Sequence, residues 1–294
     1  LHALRSGDLD FFYRGQEAAR HNRDVDTIWY SDDPNRIGCV YAHCIGHTGD
    51  YYTHKINDQG SPRGAITVSH TWVEGYLDDY LVGGDRRSLE CAEIVAGHYD
   101  GAYLNNYDFT NCRIPGWHLI LTMAMYRETL DPYYLNAAHI IMDRVKERET
   151  EGGGWRRQLM PGHCHCLPRC RGSAAFMVGI HLSGMKDYHQ ATGDQETADM
   201  IVRGAHNVID ECWVPEKHGM RYTSCPKSSG GSSLSLLIAE GIAYGYKLSG
   251  DKDLGDVMLV GTQAAVAGFG GMGKGFSQQL RWAPHVLYHL HELT

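Results

Sequence analysis

Two stretches concentrate residues able to move protons. AHCIGHTGDYYTH sets His47 and Tyr52 among glycines and polar residues, and SHTWVEG sets His70, Trp72 and Glu74 within five positions. Histidine titrates nearest neutrality, so it serves as general acid or base, with a tyrosine or carboxylate as its partner. His70 and Glu74 are four apart, which places both on one face of a helix. His47, His70, Glu74, Tyr52 and Tyr99 are therefore the catalytic candidates. A second set suits binding. Arg63 and Arg113 can neutralise an anionic group, and Trp72 and Trp117 offer rings to a sugar, though a core position suits a tryptophan as well. Asp24, Asp26, His98 and His118 supply polar contacts. Asp24 and Asp26 could equally hold arginine side chains or cap a loop.

Metal chemistry is the third option. GHCHCLPRCRG carries His163, Cys164, His165, Cys166 and Cys170, five potential ligands in eight residues. Zinc sites use close Cys and His pairs completed from elsewhere, and Cys112 or Cys225 could complete this one. The spacing matches no standard zinc knuckle, and a disulfide or free thiols remain open. Nine cysteines cannot all pair within one chain. Zinc or calcium is the cofactor to consider, with none required by the sequence.

These residues need a scaffold, and the chain supplies a repeating one. An apolar helix, a short turn ending in Asp and an amphipathic helix recur four times, with turn aspartates at Asp85, Asp131, Asp194 and Asp251. The first helix of each pair is apolar all round, as in SLLIAEGIAYGY; the second carries a polar face, as in PYYLNAAHIIMDRVKER. Buried inner helices alternating with amphipathic outer ones describe an all-α, α/α toroid. With a helix over residues 7–22 and another in PHVLYHLHEL, about five hairpins are expected. The turn separations of 46, 63 and 57 residues are too unequal for a strict solenoid. Residues 1–294 are expected to form one domain, with 23–69 as a long irregular loop. Loops entering the inner helices should share one face, and the candidates fall mostly on them.

Composition sets the outer limits. The 27 lysines and arginines against 35 aspartates and glutamates leave a formal charge of −8, which argues against a nucleic-acid partner. No apolar run approaches the roughly 18 residues of a membrane-spanning helix. The chain opens LHALRSGDLDFF without Met, which reads as a piece of a longer protein and leaves a cytoplasmic or exported location open. Glycine, at 35 residues, is in excess; loops near a ligand or close packing between helices could both use it.

ARHNRDVDT, AHCIGHTGDYY, SHTWVEGYLDDYLVGGD and GFSQQLRWAPHVLYHL together resemble the α/α-toroid carbohydrate-active enzymes, in particular the helical domain of exo-rhamnogalacturonan-lyase-like proteins. A weaker likeness, through HCHCLPRC, is to the β-L-arabinofuranosidase type with its cysteine-rich zinc site. The resemblance implies a polysaccharide lyase acting on a uronic-acid-containing glycan by β-elimination. That reaction needs a base, an acid for the leaving oxygen and a cation on the carboxylate. His47 or His70 with Tyr52 or Tyr99 would exchange the protons, and Arg63 or Arg113 would hold the carboxylate. A glycoside hydrolase using Glu74 with Asp24 or Asp26, and a non-catalytic glycan-binding toroid, are the alternatives.

Overall fold

The computed structural model describes residues 2–40, 68–105, 111–228, 230–231, 235–268 and 273–291. Eleven α-helices occupy most of them: α1 (His2–Ser6), α2 (Leu9–His21), α3 (Glu74–Gly83), α4 (Arg86–Asp100), α5 (Arg113–Thr129), α6 (Pro132–Arg148), α7 (Ala175–Thr192), α8 (Gln195–Cys212), α9 (Ser235–Ser249), α10 (Lys252–Ala267) and α11 (Gly273–His291). No described helix is long and apolar enough to cross a membrane.

The hairpin turns have a common physical basis. Gly84, Gly193 and Gly250 end α3, α7 and α9 at positive φ, and the next residue, an Asp, caps the following helix by accepting a backbone N–H. Such a cap contributes about 1 kcal/mol. Gly7 and Asp8 form the same turn between α1 and α2, one the sequence pattern did not mark as a turn. The turn after α5 departs from the rule: Leu130 adopts φ 55° where the others use glycine, while Asp131 still caps α6.

Burial separates the two classes of helix. In α7 the run from Met177 to Tyr188 is buried throughout, whereas α6 buries one face through Tyr134, Ala137, Ala138, Ile141, Met142 and Val145. Small residues let the inner helices approach. A Cβ on Gly179 would lie 2.8 Å from the Ile238 Cα, and one on Gly184 2.5 Å from the Gly116 carbonyl oxygen. The final helix corrects the sequence reading, which began it at Pro284. It starts at Gly273 and runs through the proline. An interior proline normally costs about 3 kcal/mol. Here Gln279 and Trp282 before it and Val286 and His289 after it are all buried on one stripe, so burial on both sides favours a continuous helix.

The backbone contacts divide the chain into two compact units, Leu1–Tyr107 with Ile120–His139, and Asp108–Leu119 with Ile140–Thr294. In the first, α2 passes into a π-helical turn, Asn22–Asp26, and Thr27 bridges Val40. Residues 41–67, the rest of the expected irregular loop, lie outside the described residues. In the second, short antiparallel strands decorate the inter-helix loops: β1 (Arg157–Gln158) pairs with β2 (Arg171–Gly172), and β3 (Trp213–Val214), β4 (Gly219–Arg221) and β5 (Gly230–Gly231) follow in order.

Candidate functional site

In the first unit, Asn22, Val40, His70, Trp72, Gly75 and Tyr76 line a pocket of about 220 Å³, with Gly15, Ala18 and Ala19 on its α2 side. The π-helical turn sits at its edge, and such turns recur at functional sites. Tyr76 donates to the Asn22 Oδ1 at 2.5 Å and lies 3.1 Å from the Thr27 hydroxyl; its burial raises its pKa. Trp72 is 40% exposed at this pocket.

The other first-unit candidates fare differently. The His70–Glu74 pairing assumed one helix over both, but α3 begins only at Glu74 and His70 ends a separate 3-10 turn, Val68–His70. The two line different pockets; Glu74 shares its groove with Asp78, Arg127 and Glu128. Tyr99 is a correction. It is fully buried, its hydroxyl accepts from Thr71 at 3.1 Å, and its ring packs edge-on against His98 and Tyr103, so it belongs to the core. His98 lies 3.3 Å from the Cys39 sulfur. Asp24 takes the scaffold role: both of its oxygens accept from Arg23 at 2.9 Å, and that hydrogen bonding lowers its pKa. Asp26 faces His21 at 3.8 Å. His47, Tyr52 and Arg63 lie outside the described residues.

In the second unit, the loops entering α7 and α9 meet. Ser224 N–H donates to the Ser173 carbonyl at 2.9 Å, Ala175 N–H to that of Tyr222 at 3.2 Å, and the Thr223 hydroxyl to that of His163 at 2.8 Å. Arg113, the first residue of α5, faces this junction with its guanidinium 5.9 Å from the Phe176 ring. Phe176 and Tyr222 stack at 5.1 Å, and the Tyr222 hydroxyl lies 3.5 Å from the His163 Nε2. Burial lowers the Arg113 pKa, with nearby Arg157 adding repulsion. Neither arginine forms an ion pair with a carboxylate among the described residues. The Nε of Arg113, the Nη2 of Arg157, the Nδ1 of His163 and the hydroxyl of Ser173 are all buried without a hydrogen-bond partner. Unpartnered buried polar atoms beside two positive charges are the kind of surroundings in which an anion could be held.

Trp117 and His118, by contrast, are buried core residues at 6% and 0% exposure, and Trp155 is buried with its indole N–H on the Val145 carbonyl. The exposed ring here is Tyr222, 37% exposed. Arg157 was missed altogether, since nothing in WRRQ distinguishes it.

The cysteine motif is resolved in part. The sulfurs of Cys164, Cys166, Cys170 and Cys225 all lie within 4.8 Å of one another. Cys166 and Cys170 N–H groups donate to the Cys164 sulfur at 3.4 and 3.3 Å, which draws that thiol down to about 6. Three of the five expected ligands thus converge, and two do not. His163 turns to Tyr222 and Phe176, and His165 is exposed. Cys112, the other residue considered to complete the set, stays a separate buried thiol pushed up to about 12 by burial. All eight described cysteines are free.

A buried charged network, also missed, joins α7, α9 and α11. The Lys186 ammonium donates to the Glu240 carboxylate at 2.7 Å and lies 3.2 Å from that of Asp187, and the His285 Nδ1 is 2.7 Å from the same Glu240 oxygen. Burial opposes ionisation of Glu240, yet Lys186 and His285 hold its pKa well below the ordinary carboxylate value. The one charged residue in SLLIAEGIAYGY was the available signal.

No family model matches the chain, and no curated protein matches it. Solved structures do. A polysaccharide lyase superposes with TM-score 0.65 at 14% identity, over 93% of this chain and 75% of that one. A glycosyl hydrolase family 88 protein from Bacteroides vulgatus gives 0.63 at 12% identity, over 93% and 76%. An inactive variant of an α-1,6-mannanase of a Salegentibacter species, in complex with α-1,6-mannotriose, gives 0.62 at 12%, over 95% and 79%. At such identities the likeness is one of fold: this chain shares the α/α toroid of carbohydrate-active enzymes.

Proposed function

We propose that this protein degrades an acidic polysaccharide, cleaving beside a uronate by β-elimination. The observation that carries the proposal is the pair Arg113 and Arg157, half-buried and without a carboxylate partner among the described residues, where the loops entering α7 and α9 meet the start of α5. Leaving guanidinium groups desolvated without an acid is costly, and a substrate carboxylate would relieve that cost. As the α-proton leaves, charge grows on the carboxylate, and fixed cations aimed there stabilise the transition state. Tyr222 and His163, in mutual contact at the same corner, are positioned to exchange the protons, with Phe176 and Tyr222 as the sugar platform. The toroid folds of a polysaccharide lyase and of glycoside hydrolases support the general class.

His70 and Trp72 are proposed as binding groups of the first-unit pocket. His47, Tyr52 and Arg63 stand as proposals on their motif. The narrower likeness to exo-rhamnogalacturonan-lyase-like proteins is likewise a proposal. A hydrolase is the second reading, favoured by Glu74, Asp78 and Glu128 lining one groove, since glycosidases need paired carboxylates.

The test is digestion of rhamnogalacturonan, polygalacturonate, glucuronan, alginate and neutral α-1,6-mannan, following reducing ends and ultraviolet absorbance together. A lyase raises both on an acidic glycan. Reducing ends without absorbance identify a hydrolase, and cleavage of the neutral mannan alone overturns the uronate assignment.

A further inference from the structure

We propose that Cys164, Cys166, Cys170 and Cys225 bind one zinc ion in a closed four-thiolate site that fastens the loop entering α7 to the loop entering α9. Three observations converge on it. The four sulfurs already lie within 4.8 Å of one another, with Cys166 and Cys225 at 3.7 Å. A tetrahedral zinc with Zn–S bonds of ~2.3 Å spaces its sulfurs about 3.8 Å apart, so the cluster needs little adjustment to close. The Cys166 and Cys170 N–H groups already point at the Cys164 sulfur, as backbone donors do around a bound thiolate. Finally, Leu159 packs beneath Cys164 and Cys225, which shields the cluster from bulk water on that side.

The ligand set decides the metal and the role. Four soft sulfurs in tetrahedral reach select zinc over calcium or magnesium, which take oxygen. With all four positions supplied by protein the site keeps no place for water or substrate, so it is structural. Loading transfers no electrons: each cysteine that still carries a proton releases it to solvent as its sulfur bonds the metal. Cys225 comes 59 residues after Cys166, so the metal closes a long loop. His163 precedes the first ligand directly and Tyr222 lies three residues before the last, so the same clamp positions the proposed carbohydrate corner. The zinc assignment does not depend on that corner's function.

The test uses the purified full chain, desalted without chelator, with metal content measured alongside thiol titration. The expected result is about one zinc per chain, with cobalt replacement giving the visible spectrum of tetrahedral thiolate coordination. Cys225→Ser should lose the metal, while Cys112→Ser and His163→Ala should keep it. Should Cys225→Ser fail to fold, stripping zinc from the wild type and restoring it should lower and then recover the melting temperature. Wild-type protein that takes up no zinc while its four thiols titrate freely, or that holds them as disulfides, would overturn the proposal. So would loss of zinc in Cys112→Ser, or full retention in a folded Cys225→Ser.

Discussion

Buried and half-buried cations meet two fates in this molecule. Arg23, 4% exposed, donates to Asp24, Asp85 and Ser88, and Lys186, 5% exposed, is held between Asp187 and Glu240. Arg113 and Arg157 have no such partners among the described residues. The first two are finished interactions that tie helices together. On the proposed function, the second two are charges whose counterpart is the substrate carboxylate. Removing one kind should therefore weaken the fold, and removing the other should spare the fold and end function.

The strongest break in this contrast is Lys186→Met. It leaves Glu240, which is 0% exposed, with His285 as its one remaining cationic contact, and breaking a buried pair costs about 3–5 kcal/mol. Denaturant unfolding should show that loss. Arg113→Met and Arg157→Met should do the reverse. Turnover of the acidic glycan should fall about a hundredfold, the scale of one lost transition-state donor. Their melting temperatures should hold or rise, because a desolvated charge has been removed. A marked fall in stability without loss of turnover would erase the distinction.

His181 sharpens it further. This imidazole is 0% exposed against Trp155, with both ring nitrogens unpartnered, and burial lowers its pKa to about 3. Unlike arginine, it escapes the cost of a buried charge by staying neutral. The unfolded chain takes up the proton below about 6.5 while the folded one does not. Stability should thus be complete above that pH and decline on acidification, by up to about 1.4 kcal/mol per pH unit, until about 3. His181→Leu should flatten the profile of unfolding free energy over that window; an unchanged slope would show that other groups carry it.

The smallest effect is expected from Asp85→Asn. Asparagine caps α4 as well as aspartate does, so the change removes the charge facing Arg23 and, at 3.9 Å, Arg20, worth about 1 kcal/mol. Hydrogen bonding from Arg23 holds the Asp85 pKa below its ordinary value. Its stabilising share is full above the ordinary aspartate pKa of about 3.9 and is lost as pH falls from there through the lowered value, so the loss begins only at the acid end of the His181 window. A gap between wild type and variant that closes near pH 6 would contradict this.

What could be read in advance follows from the range of each interaction. Helix alternation, aspartate caps and glycine turns are local, and α6 begins and ends where its pattern did. Leu130 escaped because its left-handed backbone is imposed by the hairpin, with no residue type to announce it. Pro284 misled because the stripe of Gln279, Trp282, Val286 and His289 outweighs a local breaker. Composition alone left two uses open for the glycine surplus, and Gly116, Gly179 and Gly184 take the second, close packing at helix crossings. The site was harder. Arg113 and the three cysteines of the motif were picked out, with Cys112 and Cys225 as candidates to complete the set, but the choice of Cys225 and the Arg157–His163–Tyr222 corner depend on loops meeting. Tyr99 and His118 look chemical in sequence and are buried in the fold.

The most direct test of the unpartnered arginines is a calorimetric titration with oligosaccharides of galacturonate, glucuronate or mannuronate, each beside its carboxyl-reduced, neutral counterpart. At least one acidic oligosaccharide should bind, its neutral form should not, and Arg113→Met with Arg157→Met should abolish the difference. Equal binding of charged and neutral forms, or undiminished acidic binding by the double variant, would contradict the assignment of Arg113 and Arg157 as the carboxylate receptor.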